Sequence, residues 1–173
     1  MAIIKPNNNT ISAITALPAA ITTGKVLQVV TSTVTGDAST TSTTLVDTGL
    51  SATITPSSSS SKVLILTSVT VGFSHAEATA AFQFVRGSTL IGTGTENSTS
   101  YSFKAFNSAQ YTSGSFNGTF LDSPSTTSST TYKLQWRAQS TRTAYLNSGF
   151  YSDGTDAYNS GAISTFTIME IGA

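Results

Sequence analysis

The chain reads as an all-β protein: an antiparallel β-sandwich or jelly roll of about eight to ten strands, preceded by an extended N-terminal arm. Three observations predict this. About a third of its 173 residues are Ser or Thr, while only 9% are charged. Apolar residues alternate with polar ones in many short runs bounded by Gly, Pro, Asp and Ser, and no segment repeats apolar residues at helical spacing over three turns. A hydrophobic content of 38% with zero net charge is too apolar for a disordered Ser/Thr stalk. The length suits one domain with a real core.

Residues 1–24 differ from the rest. They hold Pro6, Pro18 and three consecutive Asn among loosely alternating Ala, Ile and Thr. This predicts an arm whose apolar residues, Ile3, Ile4, Ile11, Ile14, Leu17 and Ile21, are buried on a partner surface or against the chain's own domain. The β-domain then occupies residues 25–173. Lys25 to Val30 is a β-branched run, with a turn at Gly36-Asp37. Thr44 to Asp47 and Leu50 to Thr55 are two further runs, ended by Pro56 and five serines.

Lys62 to Phe73 is the longest strand candidate. Val63, Ile65, Val69, Val71 and Phe73 share one face; Leu64 and Leu66 lie on the other, which predicts cover on both sides of its first half. Ser74 to Ala81 allows one helical turn at most. Ala81 to Arg86 pairs Phe82 with Phe84 on one face, and Gly87-Ser88 turns the chain into Thr89 to Ile91. Tyr101 and Phe103 alternate with Ser102 and Lys104. Phe116 and Phe120 flank Gly118 on one face, and Asp122 to Ser125 closes that segment. Thr131 to Gln139 alternates most cleanly, with Tyr132, Leu134, Trp136 and Ala138 facing in. Tyr145 to Phe150 is a weaker strand, and residues 152–161 form a loop with a turn at Asp153-Gly154. Ala162 to Ile171 is apolar on both faces, with Phe166 and Ile168 on one and Ile163, Met169 and Ile171 on the other. A central strand covered on both sides fits this, and a subunit interface at Phe166, Ile168, Met169 or Ile171 is one way to supply the second cover.

Little chemistry is available. His75 is the single histidine, and no Gly-x-Ser-x-Gly elbow accompanies neighbouring Ser74. The absence of Cys and the lone His exclude a His/Cys metal cluster. Asp153, Asp156 and Asn159 lack the spacing, Gly and terminal Glu of a calcium loop. The eight acidic residues show no local pairing for glycoside hydrolysis. Gly92-Thr-Gly94 lacks the third glycine of a dinucleotide site. The glycosylation-like triplets at Asn8, Asn97 and Asn117 are expected by chance in so hydroxyl-rich a chain. No catalytic, cofactor or metal residue is therefore expected. Eight scattered basic residues balanced by eight acids predict no nucleic-acid partner. The apolar-leaning stretch from Ile11 to Ile21 is too short to span a membrane and is interrupted by Pro18, and no signal-peptide pattern begins the chain. Tyr101, Tyr111, Tyr145, Tyr151 and Tyr158 cluster in the second half and are candidates for a surface that binds glycan or protein.

The motifs in order carry a resemblance. Ile11-Ser-Ala-Ile-Thr-Ala-Leu-Pro, Gly24-Lys-Val-Leu-Gln-Val-Val, Thr48-Gly-Leu-Ser-Ala-Thr-Ile-Thr-Pro and Ser61-Lys-Val-Leu-Ile come first. Phe84-Val-Arg-Gly-Ser-Thr, the stretch from Phe120 to Gln135, and Ser164-Thr-Phe-Thr-Ile-Met-Glu-Ile follow. Together they resemble a family of small virion proteins of tailed, mainly marine, bacteriophages. The resemblance implies a jelly-roll head of the complement-globular or tumour-necrosis-factor-like kind, usually trimeric, with no enzyme activity. It leads to the expectation of a capsid decoration or head-fibre protein anchored to the shell by its arm. Such a protein is assembled in the host cytoplasm, exposed on the virion surface, and partnered by its own copies and by other virion proteins. The alternative is a tail-fibre tip contacting host-surface glycan or protein.

Overall fold

A computed structural model describes residues 25–94, 101–106, 113–139, 142–149 and 161–172. The arm, with Ile3, Ile4, Ile11, Ile14, Leu17 and Ile21, lies outside the described residues, as do Tyr111, Tyr151 and Tyr158.

The described residues form an antiparallel β-sandwich, as expected. Its strands are β1 (Val26–Val34), β2 (Ala38–Thr40), β3 (Val46–Ile54), β4 (Lys62–Phe73), β5 (Thr79–Arg86), β6 (Thr89–Ile91), β7 (Phe103–Phe106), β8 (Ser113–Asp122), β9 (Thr130–Ala138), β10 (Ala144–Leu146) and β11 (Ser164–Ile171). One sheet is ordered β1-β11-β4-β10-β2 with β8 on the other edge of β4; the second is β3-β9-β5, with β6 and β7 sharing the far edge of β5. β10 and β11 pair with successive stretches of the same edge of β4, and β2 continues beyond β1. The eleven strands therefore fill eight positions, four per sheet, in the order of a jelly roll.

Alternation explains the layers. Val63, Ile65, Val69, Val71 and Phe73 from β4, Phe166 and Ile168 from β11, Phe82 and Phe84 from β5, and Tyr132, Leu134 and Trp136 from β9 fill the space between the sheets. Phe82 stacks on Phe103 at 4.9 Å between ring centroids, and Phe84 meets Phe166 across the layers at 6.2 Å. Val63 and Ile65 are fully buried whereas Leu64 and Leu66 are only half-buried.

Several local expectations are corrected. The runs at Thr44 to Asp47 and Leu50 to Thr55 are parts of one strand, β3, broken by a bulge between Asp47 and Ser51. At the bulge Gly49 takes a positive φ of 89°, and the buried Thr48 hydroxyl donates to the Leu134 carbonyl and accepts from the Leu50 amide. A side chain thus replaces ladder bonds that the extra residues interrupt. β10 is shorter than the expected Tyr145 to Phe150 strand, and β2 had no apolar run to announce it. The chain from Ser74 to Ala78 forms turns, with Glu77 at a φ of 58°, and no helix is present among the described residues. Of the residues expected to serve as an interface or as core on the second face of the last strand, Phe166 and Ile168 are fully buried in the core; their side chains point between the sheets because they share the parity of the core-facing strand positions.

Candidate functional site

The outer face of the β1-β11-β4-β8 region is the candidate site. Register places Val29 opposite Met169, Met169 opposite Leu64, and Leu64 opposite Leu121. One apolar side chain from each of four strands therefore forms a continuous row on the outward face. Val29 is 57% exposed and Leu121 48%. Ile171, half-buried, extends the apolar zone by one row, next to exposed Val26 and Leu27. Beyond the first row lie Thr31, Thr167, Leu66 and Thr119, then Thr33, Thr165, Ser68 and Asn117. The Thr31 and Thr167 hydroxyls are 3.0 Å apart and hydrogen-bonded. Along these rows the outward positions carry no charge; Lys62, opposite Ile171, is the charge at the end of the face. A sheet face whose rows carry apolar and hydroxyl groups but no charge suits contact with another surface.

The apolar zone sits beside the first of the described residues. Lys25 precedes Val26, and its carbonyl accepts the Gly172 amide. Met169 and Ile171, two of the expected interface residues, lie on this outer face; Phe166 and Ile168 do not.

The acidic groups tell a different story. Glu170, Val63 and Asp122 occupy one row across β11, β4 and β8, all with inward parity. Two strand spacings of about 4.8 Å separate the carboxylate-bearing backbones, a separation that invites comparison with an acid/base pair. Both groups are instead fully engaged and buried. Glu170 accepts from the Ser57 amide at 2.7 Å, the Ser57 hydroxyl at 2.6 Å and the Gln28 amide at 2.7 Å. Burial pushes its carboxyl up, but these hydrogen bonds outweigh burial and hold it below the ordinary Glu value. Asp122 accepts both Arg86 Nη1 contacts, at 3.0 and 2.8 Å, and the Tyr132 hydroxyl at 2.7 Å. Burial, with Asp122 beside it, raises the Tyr132 phenol far above its ordinary value. These networks close one end of the sandwich: Gln28 and Glu170 tie β1 and β11 to the loop after β3, and Arg86, Tyr132 and Asp122 tie the two sheets together. Sequence reading had no way to align residues 63, 122 and 170, because only strand register does so.

The Ser74 hydroxyl lies 2.7 Å from His75 Nδ1 and also accepts the Thr143 amide at 3.0 Å. Ser74 is buried, and its bond to the Thr143 amide ties the turn after β4 to the chain entering β10. No group of three His, Cys, Asp or Glu able to hold a metal occurs among the described residues. No helix among them is long and apolar enough to cross a membrane.

Tyr101 and Tyr145 are the tyrosine candidates within the described residues. Arg137 lies 5.0 Å and Lys104 5.8 Å from the centre of the Tyr101 ring. Both cations flank Ala81 in the register, so the ring lies across the outer face of the second sheet at that row. Tyr145 points outward from β10 and lines a shallow depression with Asp37, Ala38, Ser39 and Ser148. The two rings are therefore on opposite sheets and form no common surface. Compared with known proteins, the chain matches no family model and no curated protein.

Proposed function

We propose that this chain is a non-enzymatic structural protein of a bacteriophage virion: a capsid decoration or head-fibre protein that forms a homotrimer. Residues 1–24 anchor it to the shell, and the sandwich stands on the particle surface. The observation that carries the assembly half of this reading is the apolar row Val29, Met169, Leu64 and Leu121 on a sheet face whose one charge, Lys62, lies at its end. A face four strands wide and about eight residues long measures roughly 15–20 by 25 Å in projection. That is the scale of a standard subunit interface, about 800 Å² per partner once side-chain relief is included. The resemblance of the ordered sequence motifs to small virion proteins supports the phage half. The buried, engaged carboxylates fit a structural role.

The glycan- or protein-binding tail-fibre tip remains the second reading. Its support is the depression of about 220 Å³ lined by Tyr145, Asp37 and Ser39, residue types of the kind that bind sugars.

Imaging of labelled chain on intact virions decides between the two. Density at regular capsid lattice sites is the expected result; density confined to the tail overturns the decoration reading. Removal of residues 1–24 should abolish attachment to particles, and normal decoration by the truncated chain refutes the anchor. Val29→Lys should convert the trimer to smaller species without unfolding the sandwich, since Val29 is already exposed.

A further inference from the structure

Sandwich edges expose unpaired backbone N–H and C=O groups, and natural proteins blunt them with shortness, charge, bulges or cover. Nearly every edge among the described residues is treated this way. β2 and β6 have three residues each and β7 four. β1 carries a register shift near Leu27, β3 carries the bulge and Asp47, and the two lie against each other with the Ser51 amide donating to Ser32. β8 is the exception. It has ten residues, pairs with β4 through ten consecutive positions without a shift, and pairs with no other strand among the described residues. Its sequence, Ser-Gly-Ser-Phe-Asn-Gly-Thr-Phe-Leu-Asp, holds no Lys, Arg, Glu or Pro; its single charge, Asp122, is neutralised by Arg86 within the chain.

β8 also has a symmetric centre at Gly118, with Phe116 and Phe120 two residues to either side. On the inward parity the order is Gly114, Phe116, Gly118, Phe120, Asp122; on the outward parity Asn117 and Thr119 flank the centre. We infer that β8 is an assembly edge, at which a second copy of this chain pairs antiparallel, β8 to β8, about a two-fold axis at Gly118. A two-fold contact must be self-complementary, and the centre of this strand, Phe116 to Phe120, is. The axis sets Phe116 opposite Phe120 of the second copy, twice, and Asn117 opposite Thr119 of the second copy, twice. Phe116 and Phe120 are only partly buried at the seam between the sheets, and Phe106, 68% exposed, lies 6.4 Å from Phe116. Pairing would cover these rings and satisfy the open edge at once. The β8 contact uses the backbone rim of the sheet, whereas the trimer contact uses its outer face, to which β8 contributes Leu121; the rim contact would join trimers to one another, and the Val29→Lys background tests it without the trimer.

Two measurements on the full chain test it. Since the chain has no Cys, Asn117→Cys and Thr119→Cys variants can be prepared singly, both with Val29→Lys to remove the other surface. A covalent dimer should form under oxidation when the two are mixed and not when each is alone; no dimer in the mixture overturns the pairing. Native mass is then followed for the wild type, the Asn117→Lys/Thr119→Lys chain and the Asn117→Lys/Thr119→Glu chain. The axis sets position 117 opposite position 119 of the second copy, twice, so Lys at both should abolish the even-numbered species and Lys with Glu should retain it. A shared loss of even-numbered species in both variants, or no loss in either, refutes the register. Trimers without even multiples overturn the β8 contact and leave the trimer standing. Dimers alone support β8 and overturn the trimer. Monomers overturn both.

Discussion

Glu170→Gln should lower stability by about 2 kcal/mol at neutral pH, and the loss should fade in acid. The carboxylate sits fully buried and accepts three hydrogen bonds, two from Ser57 and one from Gln28. A Gln carbonyl oxygen can keep the Ser57 pair, but its amide then faces the Gln28 amide, donor against donor. One unmatched buried polar pair costs about 1–3 kcal/mol. The pH dependence follows from the direction of the shift. Glu170 titrates below its ordinary value of 4.5 in the folded state. Its charged form therefore contributes stability that is fully present above 4.5 and is lost as pH falls through the lower folded value. Wild type and variant should then converge only below that lowered folded value. Urea denaturation reads this directly: with a slope of about 1–3 kcal/mol per molar, the midpoint should drop by roughly 1 M at pH 7. Protomer concentration must be held equal, because assembly would add to apparent stability. A midpoint within about 0.2 M of wild type at pH 7 refutes the account. A difference that persists unchanged into acid also refutes it, since packing rather than charge would then be at work.

Tyr132→Phe removes the phenol donor to Asp122 and should cost about 1.5–3 kcal/mol by the same denaturation assay, with the strand pairing intact. Asn147 holds a φ of 62° while its amide donates to the Val34 and Gly36 carbonyls and its carbonyl accepts from Ser164. Asn147→Ala should therefore be less stable than Asn147→Gly by about 1 kcal/mol, both falling well below wild type. Gly72→Ala would drive a Cβ into the Ser148 carbonyl oxygen and toward Gly149; thermal unfolding should show a loss near the upper end of the roughly 1–3 kcal/mol typical of overpacking, because backbone cannot step aside as a side chain can.

The sequence by itself determined the layer architecture. Alternation along β4 and β9 assigned Val63, Ile65, Tyr132, Leu134 and Trp136 to the core, because a pleated strand puts every second side chain on the same face. It located most strands, and it missed β2 because three residues carry too little period to detect. It split β3 because the Thr48-Gly49 bulge breaks alternation, although a Gly in a strand is the available signal for a bulge. Register was beyond its reach. Nothing local says that Val29, Met169, Leu64 and Leu121 share one row, or that Glu170 and Asp122 flank Val63. Those neighbours lie up to 140 residues apart along β1 and β11. Phe166 and Met169 show the division clearly. Both read as apolar, and alternation alone could not say which face was the core; pairing between β1 and β4 turned Phe166 inward and left Met169 on the outer face.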